Sequence, residues 1–476
     1  MVTPAARTSE SASAGGSEQL TGLIEHTIEL LARDMAGAGG AALVSAELPE
    51  DVVAAMVERG AAALRSTATA VWERSGSGAR LFAFGETLRL TGARDCPIGD
   101  AAGRLRAVIA DSRHLGSSAT RPRLFGGARF TPGGAHRDPA WEEFGGWQFL
   151  LPQVLLTYGP GGVQGNVTIA ARPSDSVAGI EQRLRTALAR PFQPAFCHTG
   201  GRVNAGGVVS QAQWEATVAT AIEEIRAGRY RKVVLARQSV AASGAASPGA
   251  GEVLGRLAER YPSCFVFKFA QPGGDWIGAS PELLASVEQG TVRAASLAGT
   301  RRRSADGALD AALATELLND PKELDEHAYV ASALRAALDP LCSELCAPAT
   351  PELMTIANIH HLHTPFEGTV LAGVDILDVV RSLHPTPAVG GAPREEAVEA
   401  INRLEGMDRG WYAGPIGWMD FGGDGEFAVA LRSGLAGDSE ATLFAGAGIV
   451  EGSVPEKEYA ETELKLGPLR EALRGR

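Results

Sequence analysis

No run of about 18 apolar residues occurs in the chain, which excludes a membrane-spanning helix of ordinary length. An excess of positive charge is also missing. The formal net charge is −12, which argues against a general surface for nucleic acid or anionic membrane, although a small anion needs only local positive charge. Cysteine is sparse and odd in number: Cys96, Cys197, Cys264, Cys342 and Cys346 are the five. No disulfide framework is expected, and a reducing cytoplasm suits the chain. Cys342 and Cys346 stand four apart in what reads as a helix. A redox pair or half a metal site is conceivable there, with free thiols the default. The first 17 residues are rich in Ser, Ala and Gly and lack the apolar stretch of a secretory signal. There is no GxGxxG opening a helix, no Walker A string and no short fixed repeat, so dinucleotide and P-loop readings are weak.

What the chain does have is a globular balance, 45% hydrophobic and 21% charged residues, in a length of 476 that suits one large domain or two to three smaller ones. Residues 1–17 read as a disordered tail and 18–34 as an amphipathic helix. From about 40 to 200, short β-like runs alternate with Gly/Pro turns, as at 68–72, 81–84, 149–158 and 167–171, with a helix at 104–112. A helix over 211–228, N-capped by Ser210, precedes a strand at 232–239. After a small-residue loop at 241–251 come another helix, then strands at 265–270, 275–278 and 283–288, and a charged loop at 301–310. Helices are expected near 310–317, 321–340 and 394–405, strands at 415–420, 426–433 and 441–445, and a closing helix from Pro455. Helices mixed with antiparallel-type strands predict α+β layers of sheet and helix, not a doubly wound parallel sheet.

Several side chains could carry chemistry. Lys232 opens the strand KVVLAR, where a lysine ordinarily reaches out to solvent; in a closed pocket, desolvation would make it a general base. Glu282 follows Gly278 and Pro281 in a tight turn between strands, either as a polar turn residue or, if buried, as a proton donor. Glu326 and His327 lie in a charge-dense helix that could equally be a solvated face. Glu458, Glu461 and Lys465 are spaced i, i+3, i+7 on one helical face, as a surface ladder or as oxygen ligands for Mg²⁺. The Gly446–Ala447–Gly448 stretch reads as a turn whose amides could cradle a carboxylate. Arg432, late in an alternating strand, could grip a carboxylate, and Tyr412 could add a hydroxyl donor. His360, His361 and His363 lack a fourth ligand at the usual zinc spacing.

These pieces, in order, resemble the chorismate-utilising enzymes over about 205–470: KVVLAR, GASPELL, LAGTRRR (Leu297 to Arg303), KELDEH (Lys322 to His327), IHHLHTPFEG (Ile359 to Gly368), HPTPAVGG (His384 to Gly391), RGWYAGPIGW (Arg409 to Trp418), GEFAVALRS, AGAGIV and EYAETELK. The N-terminal part, 18–204, resembles the family more loosely, through FGGARF (Phe125 to Phe130) and the strand from Trp147 to Pro152. Within the family, lysine at 232 is similar to the members that add water, where the amine-adding anthranilate synthases have glutamine. HPTPAVGG with RGWYAGPIGW resembles the isochorismate synthases. Two departures stand out: LAGTRRR runs into SADG where many relatives keep a glycine, and AVGG at 388–391 varies among relatives.

The resemblance implies one large α+β fold, two half-related layers of sheet and helix around an Mg²⁺-dependent site that isomerises chorismate. It implies Mg²⁺ held by Glu326 and Glu461, with Glu458 through water, gripping the ring carboxylate. Tyr412, Arg432, the amides of Gly446, Ala447 and Gly448, and Lys465 would hold the enolpyruvyl carboxylate. Lys232 would activate water, Glu282 would protonate the departing hydroxyl, and Gly299, Thr300 and His361 would line the site. Ala388 and Val389 would shape specificity. A monomer without an amidotransferase subunit is expected. The rivals are a salicylate synthase, which salicylate fluorescence would reveal; glutamine-dependent amination, which would need that subunit; and a non-catalytic chorismate-binding protein, which needs no acid–base pair.

Overall fold

The computed structural model describes residues 10–37, 42–134, 136–171, 174–193, 209–242, 248–356, 359–437 and 440–475. Two sheets dominate, one of twelve strands and one of ten, of which nine form its main path and one, Glu352–Ile356, pairs off it with Ile359–Val370. Pairing is antiparallel throughout the described ladders except between Leu43–Glu47 and Ser112–Leu115. The predicted α+β architecture is therefore observed.

The two sheets face each other across one apolar core, and the strand period of two explains how. Phe265, Phe267 and Phe269 of one strand point into the space between the sheets with Trp72, Trp276, Phe149 and Phe427, while the intervening Val266 points outward. That outer face is covered by the helices Glu10–Gly37, Val177–Ala189, Ala250–Arg260 and Pro455–Leu473, which contribute Ile28, Leu184, Leu257 and Leu466 to a second core. Strands such as Phe265–Gln271 and Gly274–Ser280 are thus buried at every residue.

Each sheet is woven from both halves of the chain. Ala70–Arg74 pairs with Phe265–Gln271 in the larger sheet, and Arg123–Ala128 pairs with Pro415–Asp420 in the smaller. Several local expectations hold. Ser210 caps the helix Gln211–Arg226 in a reciprocal capping box with Gln213, and the strand at 232 and the closing helix start where predicted.

Others are corrected. A helix begins at Glu10, so residues 10–17 are helical where a tail was expected, and 1–9 lie outside the described residues. Ala and Ser propagate a helix nucleated further along the chain. Cys342 and Cys346 lie on a strand, Cys342–Cys346, paired with Ile359–Val370; both thiols are free. Cys197 and residues 243–247 of the small-residue loop lie outside the described residues. The loop at 301–310 is shorter than expected, because one strand extends to Arg302 and a helix starts at Gly307.

Candidate active site

Lys232 begins the strand Lys232–Ala242, which lies between Gly391–Ala392 and Glu440–Ile449 in the larger sheet. Its ammonium does not reach into open solvent: Nζ donates to Glu326 Oε1 at 2.7 Å, and the side chain is 17% exposed. Glu326 comes from the helix Pro321–Leu338. The next residue, His327, is not on a solvated face: it is 2% exposed and bonds the Ala298 carbonyl at 3.2 Å and Thr364 Oγ1 at 2.7 Å. That buried histidine pins the helix against the antiparallel strands Thr291–Arg302 and Ile359–Val370, and so fixes Glu326 beside the lysine.

Glu282 occupies the two-residue link between Gly274–Ser280 in the larger sheet and Leu283–Glu288 in the smaller. Ser280 holds the crossing together. Its hydroxyl donates to the Val429 carbonyl at 2.6 Å and accepts from the Glu282 amide at 3.2 Å, while the Glu282 carbonyl accepts from the Val429 amide at 3.1 Å. The carboxyl is thereby turned into the site. Burial raises it to about 7, against the opposing pull of Lys232 and Lys465. A carboxylic acid that carries its proton near neutrality, within the field of a lysine, is the composition of an acid–base pair.

The Gly446–Ala447–Gly448 stretch is not a turn. It lies inside the strand Glu440–Ile449, paired with Ala236, Leu235 and Val234. Gly446 is required nonetheless, and Gly448 is closely approached by a side chain. A Cβ on Gly446 would lie 2.9 Å from the Leu235 carbonyl oxygen and 3.2 Å from the Tyr412 hydroxyl, and one on Gly448 would lie 3.2 Å from Lys232 Cε. Ala447 itself is fully buried. The Gly446 carbonyl accepts from Lys465 Nζ at 2.8 Å, and Lys465 pairs with Glu461 at 2.6 Å. The strand therefore runs between two lysine–glutamate pairs, Lys232–Glu326 and Lys465–Glu461.

Tyr412 is buried and stacks on Phe444, with ring centroids 5.3 Å apart. Burial raises its hydroxyl to about 12, so it stays a donor. Arg432 is not in a strand. It lies in the connection between Gly425–Val429 and Ser433–Ala436 with φ +49°, a left-handed conformation rare outside glycine. Burial lowers its affinity for the proton, opposed by Tyr412, Cys264, Glu461 and Tyr261. Lys465 is likewise lowered by burial, against the pull of Glu461.

Across the site, Gly299 forms a bulge at φ +78°, between Ala298 and Thr300, where the register with Ile359–Val370 shifts. Thr300 pairs with His361, whose ring is kept neutral first by burial, against a bond with the Gly299 backbone. His360 instead bonds Asp310 at 3.1 Å and Thr355 at 2.9 Å. His360 and His361 thus serve different partners. Val389 is buried in the core while Ala388 is part-exposed beside it.

The chemistry of Glu326, Glu458 and Glu461, all hard oxygen donors, fits Mg²⁺. Glu458 is raised by burial and by the charge of Glu461, a crowding of negative charge that a cation relieves. The arrangement is not a preformed cage. Glu326 and Glu461 are each held by a lysine, and among the described residues no three His, Cys, Asp or Glu form a group able to hold a metal ion.

The sequence reading missed Ser280, Arg237 and the pair Glu405–Arg409. Arg237, 2% exposed, donates to Thr462 Oγ1 at 2.7 Å and to Glu463, and lies 4.3 Å over Tyr459, fixing the helix that carries Glu458, Glu461 and Lys465. It ends the very motif that Lys232 begins, which was the available signal.

A family model described as chorismate binding enzyme matches residues 36–474. Isochorismate synthase MenF of Bacillus subtilis is 38% identical over 369 residues, 77% of this chain and 78% of that protein. The salicylate biosynthesis isochorismate synthase of Pseudomonas aeruginosa is 36% identical over 413 residues, 86% of this chain and 85% of the other. Among solved structures, MenF, the menaquinone-specific isochorismate synthase from Escherichia coli, aligns with a TM-score of 0.74 at 22% identity, covering 95% of this chain and all of that one, a likeness of fold. No helix among the described residues is long and apolar enough to cross a membrane.

Proposed function

The chain belongs to the chorismate-binding enzyme family, and from that premise we propose that it is an isochorismate synthase, an isomerase that moves the ring hydroxyl of chorismate from carbon 4 to carbon 2. The observation that carries this reading is Glu282, raised to about 7 by burial and within the electrostatic reach of both Lys232 and Lys465, with Tyr412 and Arg432 close by.

Chorismate carries two carboxylates, and the site divides the work of holding them. Arg432 and the Tyr412 hydroxyl donate to the enolpyruvyl carboxylate, with Lys465 and the Gly446–Gly448 strand edge completing its seat. Gly299, Thr300 and His361 line the ring, and Ala388 with Val389 sets the space beside it. Lys232 takes a proton from a water whose oxygen bonds to carbon 2. The ring double bonds shift and the carbon 4–oxygen bond breaks. Glu282 supplies the proton that lets the hydroxyl leave as water. One water enters and one departs, so the product has the mass of the substrate. Mg²⁺, held by Glu326 and Glu461 with Glu458 through a water, would supply positive charge to the ring carboxylate. Freeing those carboxylates requires Lys232 and Lys465 to exchange their present partners.

The test is a product assay. Purified protein, chorismate and Mg²⁺, with and without EDTA, are separated by liquid chromatography with mass detection. A metal-dependent isomer of unchanged mass supports the reading. Salicylate with pyruvate, or no turnover at all, overturns it.

A further inference from the structure

Glu405 is the C-cap of the helix Arg394–Leu404, and Arg409 follows four residues later in the irregular segment beyond it. Here both are buried, 8% and 5% exposed. A buried ion pair adds little net stability over packed apolar side chains. What it supplies that they cannot is directed hydrogen bonds, and these all converge on two segments of the proposed active site.

The strand Lys232–Ala242 is bordered on one edge by the very short strand Gly391–Ala392. That ladder runs out quickly: the Arg231 amide donates to the Ala392 carbonyl at 2.7 Å and the Val234 amide to the Gly390 carbonyl at 2.9 Å. Beyond that point the side chains take over. Arg409 Nη2 donates to the Val234 carbonyl at 2.7 Å, and the Ala236 amide donates to Glu405 Oε1 at 2.7 Å. Arg409 Nη1 reaches the Val389 carbonyl at 3.1 Å, while Nε donates to Glu405 Oε2 at 2.8 Å and Nη2 also bonds Oε1. The same guanidinium lies 4.1 Å over the Phe130 ring, and the Phe130 carbonyl bonds His384 Nε2 at 2.9 Å. The segment from His384 to Gly390 is thus tied to Arg409 directly at Val389 and through Phe130 at His384.

We propose that Glu405 and Arg409 are positioning residues that act as a side-chain continuation of the sheet edge, locking the Ala388–Val389 wall of the ring pocket in register with the strand that carries Lys232. Neither touches the reacting atoms. The catalytic consequence rests on the isochorismate synthase reading; the clamp itself does not.

The experiment compares wild type, Arg409→Lys, Glu405→Gln and the double variant Arg409→Met/Glu405→Met, by steady-state kinetics with chorismate and by amide hydrogen exchange, all well below each melting temperature. Arg409→Lys keeps the charge but loses the fork. Its expected result is a fall in kcat of about tenfold or more with KM within about threefold. Exchange should quicken at the amides of 386–391 and stay unchanged in Gly274–Ser280. If Arg409→Lys does not fold, the double Met variant, which leaves no unpaired charge, carries the same expectation. A folded variant with wild-type kcat, or with unchanged exchange over 386–391, overturns the proposal. Should the wild type fail to isomerise chorismate, the parent reading falls, and the exchange measurement still decides the clamp.

Discussion

Glu282 is a residue whose chemistry is changed by its surroundings. Its ordinary value of 4.5 becomes about 7 in the folded protein. Between those two values the native state keeps a proton that the unfolded chain releases. This group's stabilising share is therefore complete below about 4.5 and is lost as pH rises through about 7, leaving a penalty of at most ~3 kcal/mol above it. Glu282→Gln should therefore melt higher than wild type at pH 8 and equal to it near pH 4.5, by calorimetry, while losing turnover at both. In the wild type, kcat/KM should fall as pH rises past about 7, where the acid loses its proton. Lys232→Ala should lower turnover by about 10²–10⁴-fold while chorismate still binds by titration calorimetry; retained turnover removes Lys232 from the role of base. Glu461→Ala should raise the Mg²⁺ concentration needed for half-maximal rate, and an unchanged metal dependence would take that residue out of the site.

At the scale of elements, the strand Glu440–Ile449 distinguishes two substitutions that look alike. A methyl at Gly446 meets the Leu235 backbone, which cannot step aside, and crowds the Tyr412 hydroxyl; one at Gly448 meets the flexible end of Lys232. Gly446→Ala should therefore raise KM by about tenfold, the equivalent of roughly 1.4 kcal/mol of lost anion binding, and Gly448→Ala should act on kcat with KM nearly unchanged. Michaelis–Menten curves for the two variants check this directly.

Legibility in the sequence also divides by element. Ser210 with Gln213, the strand opening at Lys232 and the helix opening at Pro455 were readable because their signals are local: a cap, an apolar run, a proline at a helix start. The Gly446–Gly448 strand was not, because glycine reads as turn when its neighbours in space are unknown. The strand Cys342–Cys346 was hidden for a similar reason: it takes its shape from Ile359–Val370, a partner across a distance the sequence does not display. Glu405 and Arg409 had the spacing of an exposed helix pair, and only the fold buries them. Lys232 and Glu282 were nameable, yet each had a bland reading that composition could not remove, and it is the ordered set of motifs that favours the functional one.

For the whole molecule, the weaving of both halves into both sheets has a direct outcome. A fragment of residues 205–476 would leave Phe265–Gln271 without its partner Ala70–Arg74, and Pro415–Asp420 without Arg123–Ala128. Such unpaired apolar edges aggregate. The fragment should be insoluble or lack a cooperative melt by circular dichroism; a soluble, two-state fragment would establish an independent C-terminal unit.

The stitch at Ser280 bears on how such a protein fails. Lys232 is moored to the larger sheet, His361 to the smaller, and Glu282 hangs on the thread between them. Any slippage of one sheet against the other, from a mutation or from warming, changes the span between the proposed proton donor and acceptor before a single strand comes loose. Turnover should thus decline some degrees below the melting transition, making the enzyme's own rate an early gauge of how well its two layers are seated.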